Sequence, residues 1–359
     1  MFYWNPWLDL YAKQVKFFVR LMKQPEPYWS TPNEVSLEKD TLRLRYFPNK
    51  HKKLGKPILV LPPQAGHHSN ITDYSSNQSL VNTFHKYGFD VYVAQWLSPN
   101  YKHKNFDISD YIRLTNDAVH NISSRTGHDS IHLVGQCQGG WQAAMYASLF
   151  PQKISSLVVA AAPINLEAER GPLNDFIDNL PMSFYESLVA SGFGLLKGDH
   201  MLAGFKNMDP HKHYYKKYID LWNLIWLEDE NGLERFDRFT NWYELTQDLP
   251  GKFYLEVVEK IFKNNGMVNP GTIELNDKIE AKDKCVDLTK IDCPVILMAG
   301  EKDNITPPNQ CLDMKNHIST PKKDIIEITT KGGHIGTLMG KSALKNHWTT
   351  VSKTLANIA

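Results

Sequence analysis

Residues 131–140 read Ile131-His132-Leu133-Val134-Gly135-Gln136-Cys137-Gln138-Gly139-Gly140. The apolar residues before Gly135 fit a short buried strand, and the residues after Cys137 fit a helix running to about Phe150. A nucleophile between two glycines, at a strand-to-helix turn, is held on a sharp and strained elbow. Gly135 and Gly139 are needed there because side chains at those positions would collide with neighbouring backbone. Gly140 eases the approach of helix to strand. The helix N-terminus favours negative charge at the central residue, so Cys137 is the candidate nucleophile. A buried structural cysteine in a glycine-rich turn is the bland alternative.

The strand-helix rhythm continues on both sides of the elbow. Upstream, after a proline-containing linker, residues 41–47 alternate as a strand and 57–61 form a short apolar run. A helix is predicted over 79–87, a strand over 89–95 and a helix over 109–124. Downstream, 154–162 is another buried run, 294–299 and 324–329 are strands, and helices lie near 309–317 and 342–356. Strands alternating with helices imply a parallel sheet covered on both faces. With the elbow, this predicts an α/β protein of the α/β-hydrolase fold: a mostly parallel sheet, helices on both faces and an inserted helical cap. The cap is the aromatic-rich stretch from about Asn165 to Asp287, which breaks the rhythm between two strands; a second small hydrophobic core away from substrate is its other reading. The expected organisation is a helical segment over 1–40, a core over 41–164 and 287–359, and a cap over 165–286.

An elbow cysteine needs a base, and in this fold the order along the chain is nucleophile, acid, histidine. Asp303 follows the 294–299 strand and His334 follows the 324–329 strand, where α/β sheets place their sites. His334 would take the thiol proton and Asp303 would set its tautomer; Glu301 is the rival acid. The backbone N–H of Gln138 is one expected oxyanion donor, and Gln64 or Ala65, after the 57–61 strand, the other. His67 and His68 are adjacent, so they project differently; loop stabilisation fits them better than metal binding, and no metal or other cofactor is expected.

The 359 residues carry 40 Lys and Arg against 39 Asp and Glu, a net charge of +1. That balance exerts no strong pull on nucleic acid or anionic membrane. The four cysteines show neither a CxxC pair nor zinc spacing, and no apolar stretch approaches the roughly 20 residues of a spanning helix. No secretory signal is evident, so the expectation is a reduced, cytoplasmic protein with free thiols. The first residues are unusual. Phe2, Tyr3, Trp4, Trp7, Leu8, Tyr11, Phe17 and Phe18 crowd into one short stretch that reads as a helix over about 6–23, ended before Pro25 and Pro27, with Lys13, Lys16, Arg20 and Lys23 on a polar side. It reads either as an interfacial helix on a hydrophobic particle or partner, or as a helix packed on the enzyme's own core or at a dimer contact.

From about Pro57 to the end, the sequence resembles the polyhydroxyalkanoate synthases, particularly the short-subunit type that works with a second protein. The motifs carrying the resemblance are the Gly135–Gly140 box, Phe239-Thr240-Asn241-Trp242, Asn264-Asn265-Gly266-Met267-Val268, Val286-Asp287-Leu288, Lys302-Asp303-Asn304-Ile305-Thr306-Pro307 and Gly333-His334-Ile335-Gly336. The resemblance implies Cys137 as nucleophile, Asp303 as acid and His334 as base. It also implies polymerisation of (R)-3-hydroxyacyl-CoA to a polyester with release of CoA. The implied partners are the hydroxyacyl-CoA substrate, a second synthase subunit or a homodimer, and a polyester granule surface. Asn304 and Gln95 stand where synthases usually carry histidine and aspartate, and the 62–68 loop is closer to that of a neighbouring synthase-like family. Lys216, Lys217 and Arg235 could meet CoA phosphates or be solvated surface charges. A cysteine hydrolase acting on thioesters or polyester oligomers, and a non-enzymatic granule-associated protein, remain open beside the polymerase.

Overall fold

The computed structural model describes residues 6–22, 26–49 and 55–358. Eight strands form one sheet: β1 (Glu34–Lys39), β2 (Leu42–Phe47), β3 (Ile58–Leu61), β4 (Val91–Trp96), β5 (Ile131–Gln136), β6 (Ile154–Ala160), β7 (Val295–Gly300) and β8 (Ile325–Thr330). Their spatial order is β1-β2-β4-β3-β5-β6-β7-β8. β3 to β8 run parallel, while β2 pairs antiparallel with both β1 and β4. The α/β class expected from the alternation is therefore the one observed.

Because side chains alternate along a strand, the central strands feed two separate cores. Leu59, Leu61, Leu133 and Leu297 join one cluster with Trp141 and Ile112. Ile58, Val60, Val134 and Met298 join the other with Phe84 and Trp348. The first core is covered by α3 (Ile108–Thr126) and α4 (Gln138–Leu149), the second by α2 (Leu80–His85) and α13 (Thr349–Ala356). Asp107 caps α3 by accepting from the Asp110 N–H, and Asp110 answers to the Asp107 N–H, closing a capping box.

Between β6 and β7 the chain leaves the sheet and forms α5 (Pro172–Asn179), α6 (Met182–Ser191), α7 (Gly198–Asn207), α8 (Lys217–Trp226), α9 (Glu230–Glu244) and α10 (Gly251–Glu256), with π-helical stretches at Lys212–Lys216 and Val257–Lys263. This layer is tied to the sheet layer by Lys252 on Asp107 at 2.7 Å, Lys278 on Asp110 at 2.6 Å and the Trp242 indole N–H on the His68 carbonyl at 2.9 Å.

One expectation needs correction. The stretch taken as a linker contains β1, an edge strand whose charged outer residues hide its alternation; Asp40, at φ 52°, turns it into β2. His334 opens a helix, α12 (His334–Met339), and the helix expected near 309–317 is α11 (Pro308–Leu312) continued by a 3-10 turn over Asp313–Asn316. The N-terminal helix α1 (Pro6–Met22), expected over 6–23, has no fully buried residue, yet its Phe17 and Leu21 pack against Leu221, Ile225 and Leu233 of the cap, with basic residues alongside. Lys16 meets Glu230 at 2.6 Å, Arg20 pairs with Asp237, and Phe17 lies edge-on to Trp222. Leu8, Tyr11, Phe18, Val19 and Met22 face outward and are exposed. Phe2, Tyr3, Trp4, Lys23 and Pro25 lie outside the described residues.

Candidate active site

Cys137 sits between β5 and α4 at φ 52°, ψ −120°, a conformation L-residues rarely hold. Its N–H donates to the Ala160 carbonyl at 2.8 Å, which pins the elbow to β6. A β-carbon on Gly139 would lie 1.9 Å from the Leu61 carbonyl oxygen, and one on Gly135 would lie 2.3 Å from the Gly139 oxygen. The helix can press against β3 and β5 only if both positions lack side chains.

Asp303 follows β7 and His334 opens α12 after β8, and the parallel pairing of these strands brings the two together. His334 Nδ1 and Asp303 Oδ2 are 2.8 Å apart, and the carboxylate is fully buried. Its other oxygen, Oδ1, accepts the Ile305 N–H at 3.0 Å and the Thr306 N–H at 2.8 Å. The acid is thus held by its own loop and presents one oxygen to the imidazole. Cys137 and His334 line the same cavity. Burial opposes a charge on this ring, but the Cys137 sulfur and the Asp303 carboxylate outweigh burial and hold its pKa well above 6.5. Glu301 is exposed, whereas Asp303 is buried.

The oxyanion candidates separate. Gln138 opens α4, so its backbone N–H has no acceptor within the helix. The Ala65 N–H donates to Gln138 Oε1 at 2.6 Å, which links the two sides of the turn. Gln64 is buried away from the cavities around Cys137, and its amide nitrogen donates to Gln142 Oε1 at 2.6 Å.

Two cavities meet at Cys137. One, of about 360 Å³, is also lined by His334, His67, Trp242, Lys212 and Lys302. The other, of about 420 Å³, runs under the cap and is lined by apolar side chains, Trp141 and Phe253 among them. His67 lies in the first, its ring centroid 4.7 Å from Trp242, 4.8 Å from Tyr243 and 5.8 Å from Phe205. Burial pushes its pKa down to about 4, so it is a neutral ring at neutral pH. His68 is built into the loop, with Nδ1 meeting the Asn70 side chain at 3.0 Å and Nε2 facing Gln95 at 3.1 Å. Gln95 in turn accepts from Arg45. Among the described residues, no group of three or more His, Cys, Asp or Glu side chains could hold a metal ion, and no helix is long and apolar enough to cross a membrane.

The cations suggested for CoA are engaged elsewhere. Lys216 pairs with Asp220 at 2.7 Å, Lys217 with Glu244 at 2.6 Å and Arg235 with Asp229 at 3.8 Å. The lysines on the cavity around His334 are instead Lys212 and Lys302. Sequence reasoning passed over both, although Lys302 directly precedes Asp303. The aromatic wall comes from the stretch read as a cap, and Phe239 and Trp242 begin and end one of the motifs already singled out.

Comparison with known proteins agrees with this architecture. The chain is 29% identical over 324 residues to the poly(3-hydroxyalkanoate) polymerase subunit PhaC of Haloferax mediterranei, covering 90% of this chain and 63% of that one. It is 26% identical over 286 residues to the subunit of the same name from Allochromatium vinosum, covering 79% and 76%. Among solved structures, it superposes on a monoacylglycerol lipase of Paleococcus ferrophilus with a TM-score of 0.53 at 17% identity, over 89% of this chain and 99% of that one. The mouse alpha/beta hydrolase domain-containing protein 10 gives a TM-score of 0.51 at 15% identity, over 92% and 100%. The fold is the α/β-hydrolase fold. With a family model matching residues 43–358, the chain belongs to the family described as Protein of unknown function (DUF3141).

Proposed function

We propose that this chain is an acyltransferase that polymerises (R)-3-hydroxyacyl-CoA into polyhydroxyalkanoate, with Cys137 as nucleophile, His334 as base and Asp303 orienting that base. The observation that carries the reading is the buried Asp303–His334 hydrogen bond at the cavity Cys137 lines, in a chain whose curated relatives are named poly(3-hydroxyalkanoate) polymerases.

The chemistry follows from those groups. Cys137 Sγ, as thiolate beside the imidazolium, attacks the thioester carbonyl carbon. The bond to the CoA sulfur breaks, and the leaving thiolate takes the proton from His334. One thioester replaces another, so this step is nearly balanced. The 3-hydroxyl of a second unit then attacks the acyl carbon on Cys137 and passes its proton to His334. An oxoester forms, which is downhill, and Sγ leaves. The Gln138 N–H stabilises the oxyanion in both halves; the Ala65 N–H joins it once the Gln138 side chain turns away. Lys212 and Lys302 attract the anionic part of CoA, and the outward apolar stripe of α1 suits contact with a polyester surface.

A second reading, a cysteine-dependent hydrolase of thioesters or polyester oligomers, is favoured by one observation. Lys212, Lys302 and Asn304 are exposed on the His334 cavity, so water has a route to an acyl-enzyme. Incubation with a series of (R)-3-hydroxyacyl-CoA thioesters, following CoA release and product mass together, separates the two. Oligomer with CoA supports the polymerase, whereas free hydroxy acid alone eliminates it in favour of the hydrolase. Cys137→Ala is expected to abolish CoA release; turnover that survives it would mean that the nucleophile lies elsewhere.

A further inference from the structure

The two cavities that share Cys137 differ in chemistry. The one holding His334 carries Lys212, Lys302 and Asp209. The other, although larger at about 420 Å³, has no carboxylate, ammonium or guanidinium group on its lining among the described residues. Its walls come from both layers: Trp141 of α4 on the sheet side, and Ile177, Leu188, Phe253, Tyr254 and Val257 from the cap. An acyl thioester attacked at Cys137 therefore has an ionic side and an apolar side to choose between, and its two ends differ in the same way.

Size argues further than polarity. An apolar cavity of about 150 Å³ accepts a benzene ring, six carbons. A four-carbon hydroxyacyl group would leave most of the present cavity unfilled, with only a few polar side chains, Gln138, His200, Asn207 and Thr306 among them, to hold the water that remained against largely apolar walls. Each methylene moved from water into such a cavity strengthens binding roughly fourfold, so the cavity rewards length until it is full.

We infer that the apolar cavity receives the acyl chain of the thioester, and that the substrates of this site are 3-hydroxyacyl thioesters of medium to long chain. This rests on the acyl-transfer reading above. The chain lies under α6 and α10, the carbonyl carbon stands at Cys137 Sγ, and the CoA end leaves past Lys212 and Lys302.

The test is the first turnover, before any polymer exists to compete for the cavity. CoA release is followed in the pre-steady state with (R)-3-hydroxybutyryl-CoA, (R)-3-hydroxyoctanoyl-CoA and (R)-3-hydroxydodecanoyl-CoA. The acylation rate constant over the apparent Kd is expected to rise at least tenfold from the shortest to the longer substrates. Leu188→Trp on α6 and Val257→Phe after α10 each fill part of the cavity and are expected to flatten that rise at least fivefold. The ratio between chain lengths is read within one preparation, so it does not depend on the folded fraction, and the wild-type profile stands whether or not either variant folds. Equal or falling values along the series overturn the inference and leave acyl transfer intact. A rise that both variants leave unchanged also overturns it, because the preference would then arise elsewhere. No CoA release from any of the three would overturn the acyl-transfer reading itself.

Discussion

His334 is pulled in two directions. Its ring is buried, which disfavours charge, yet it is hydrogen-bonded to the Asp303 carboxylate and shares a cavity with the Cys137 sulfur. On the proposed mechanism this keeps a proton ready for the departing CoA thiolate. Asp303→Asn removes the negative charge but keeps the shape, so the imidazolium loses a partner and its pKa falls. The alkaline limb of the kcat/KM profile should then move to lower pH, and kcat/KM should drop by roughly 10²- to 10⁴-fold. A variant with the wild-type pH profile would mean that the carboxylate does not act through this ring. At this scale Cys137, Asp303 and His334 stood out as candidates in the sequence because each follows the end of a strand and each residue type suits one task. The ionic partners could not. Whether Lys217 is free or held by Glu244 at 2.6 Å depends on residues 27 positions apart meeting across two cap helices, which no local pattern encodes.

The elbow is the element whose geometry is least forgiving. Gly139 lies against backbone, and the carbonyl of Leu61 cannot swing aside without breaking β3 from its neighbours. Gly139→Ala should therefore destabilise the fold by about 3 kcal/mol or more. Gly204, inside α7, provides the contrast, since a β-carbon there meets nothing within 4 Å. Gly204→Ala should stabilise by about 0.5–1 kcal/mol, because alanine gives up less backbone entropy in a helix. Chemical unfolding of the two variants should give opposite signs; a Gly139→Ala protein as stable as wild type would contradict the close packing described for the elbow. Elements with an apolar period were legible, among them β3, β5, β7 and α3, since their periodicity is what buries them. β1 was not, because one of its faces meets solvent and Glu34, Glu38 and Lys39 mask the alternation of Val35 and Leu37. The orientation of α1 was also hidden. Its two sides could be read from the sequence, but the side that docks is set by Glu230 and Asp237, more than two hundred residues away.

For the whole molecule, the buried histidines set a window of stability against pH. His67 and His132 are held neutral by burial, each with a pKa lowered to about 4. In the unfolded chain they would titrate near 6.5. Between those values the unfolded state binds more protons than the folded one, so stability falls as pH drops from 6.5 towards 4 and levels off below. Each ring contributes a loss of about 3 kcal/mol over that window. His334 has the opposite sign. Its raised pKa makes its contribution complete below 6.5 and removes it as pH climbs through the folded value. The two effects together put the stability maximum near neutrality. His132 is the cleaner probe because it lies in β5, away from Cys137, with Nδ1 on the Ser156 hydroxyl at 2.8 Å. His132→Asn keeps a polar group for that serine and cannot titrate. Its packing cost is the same at every pH, so it cancels from the difference between two pH values. Unfolding free energies measured at pH 7 and pH 4.5 should therefore differ by about 2–3 kcal/mol less in the variant than in the wild type. An unchanged difference would show that His132 is not the neutral buried ring described here.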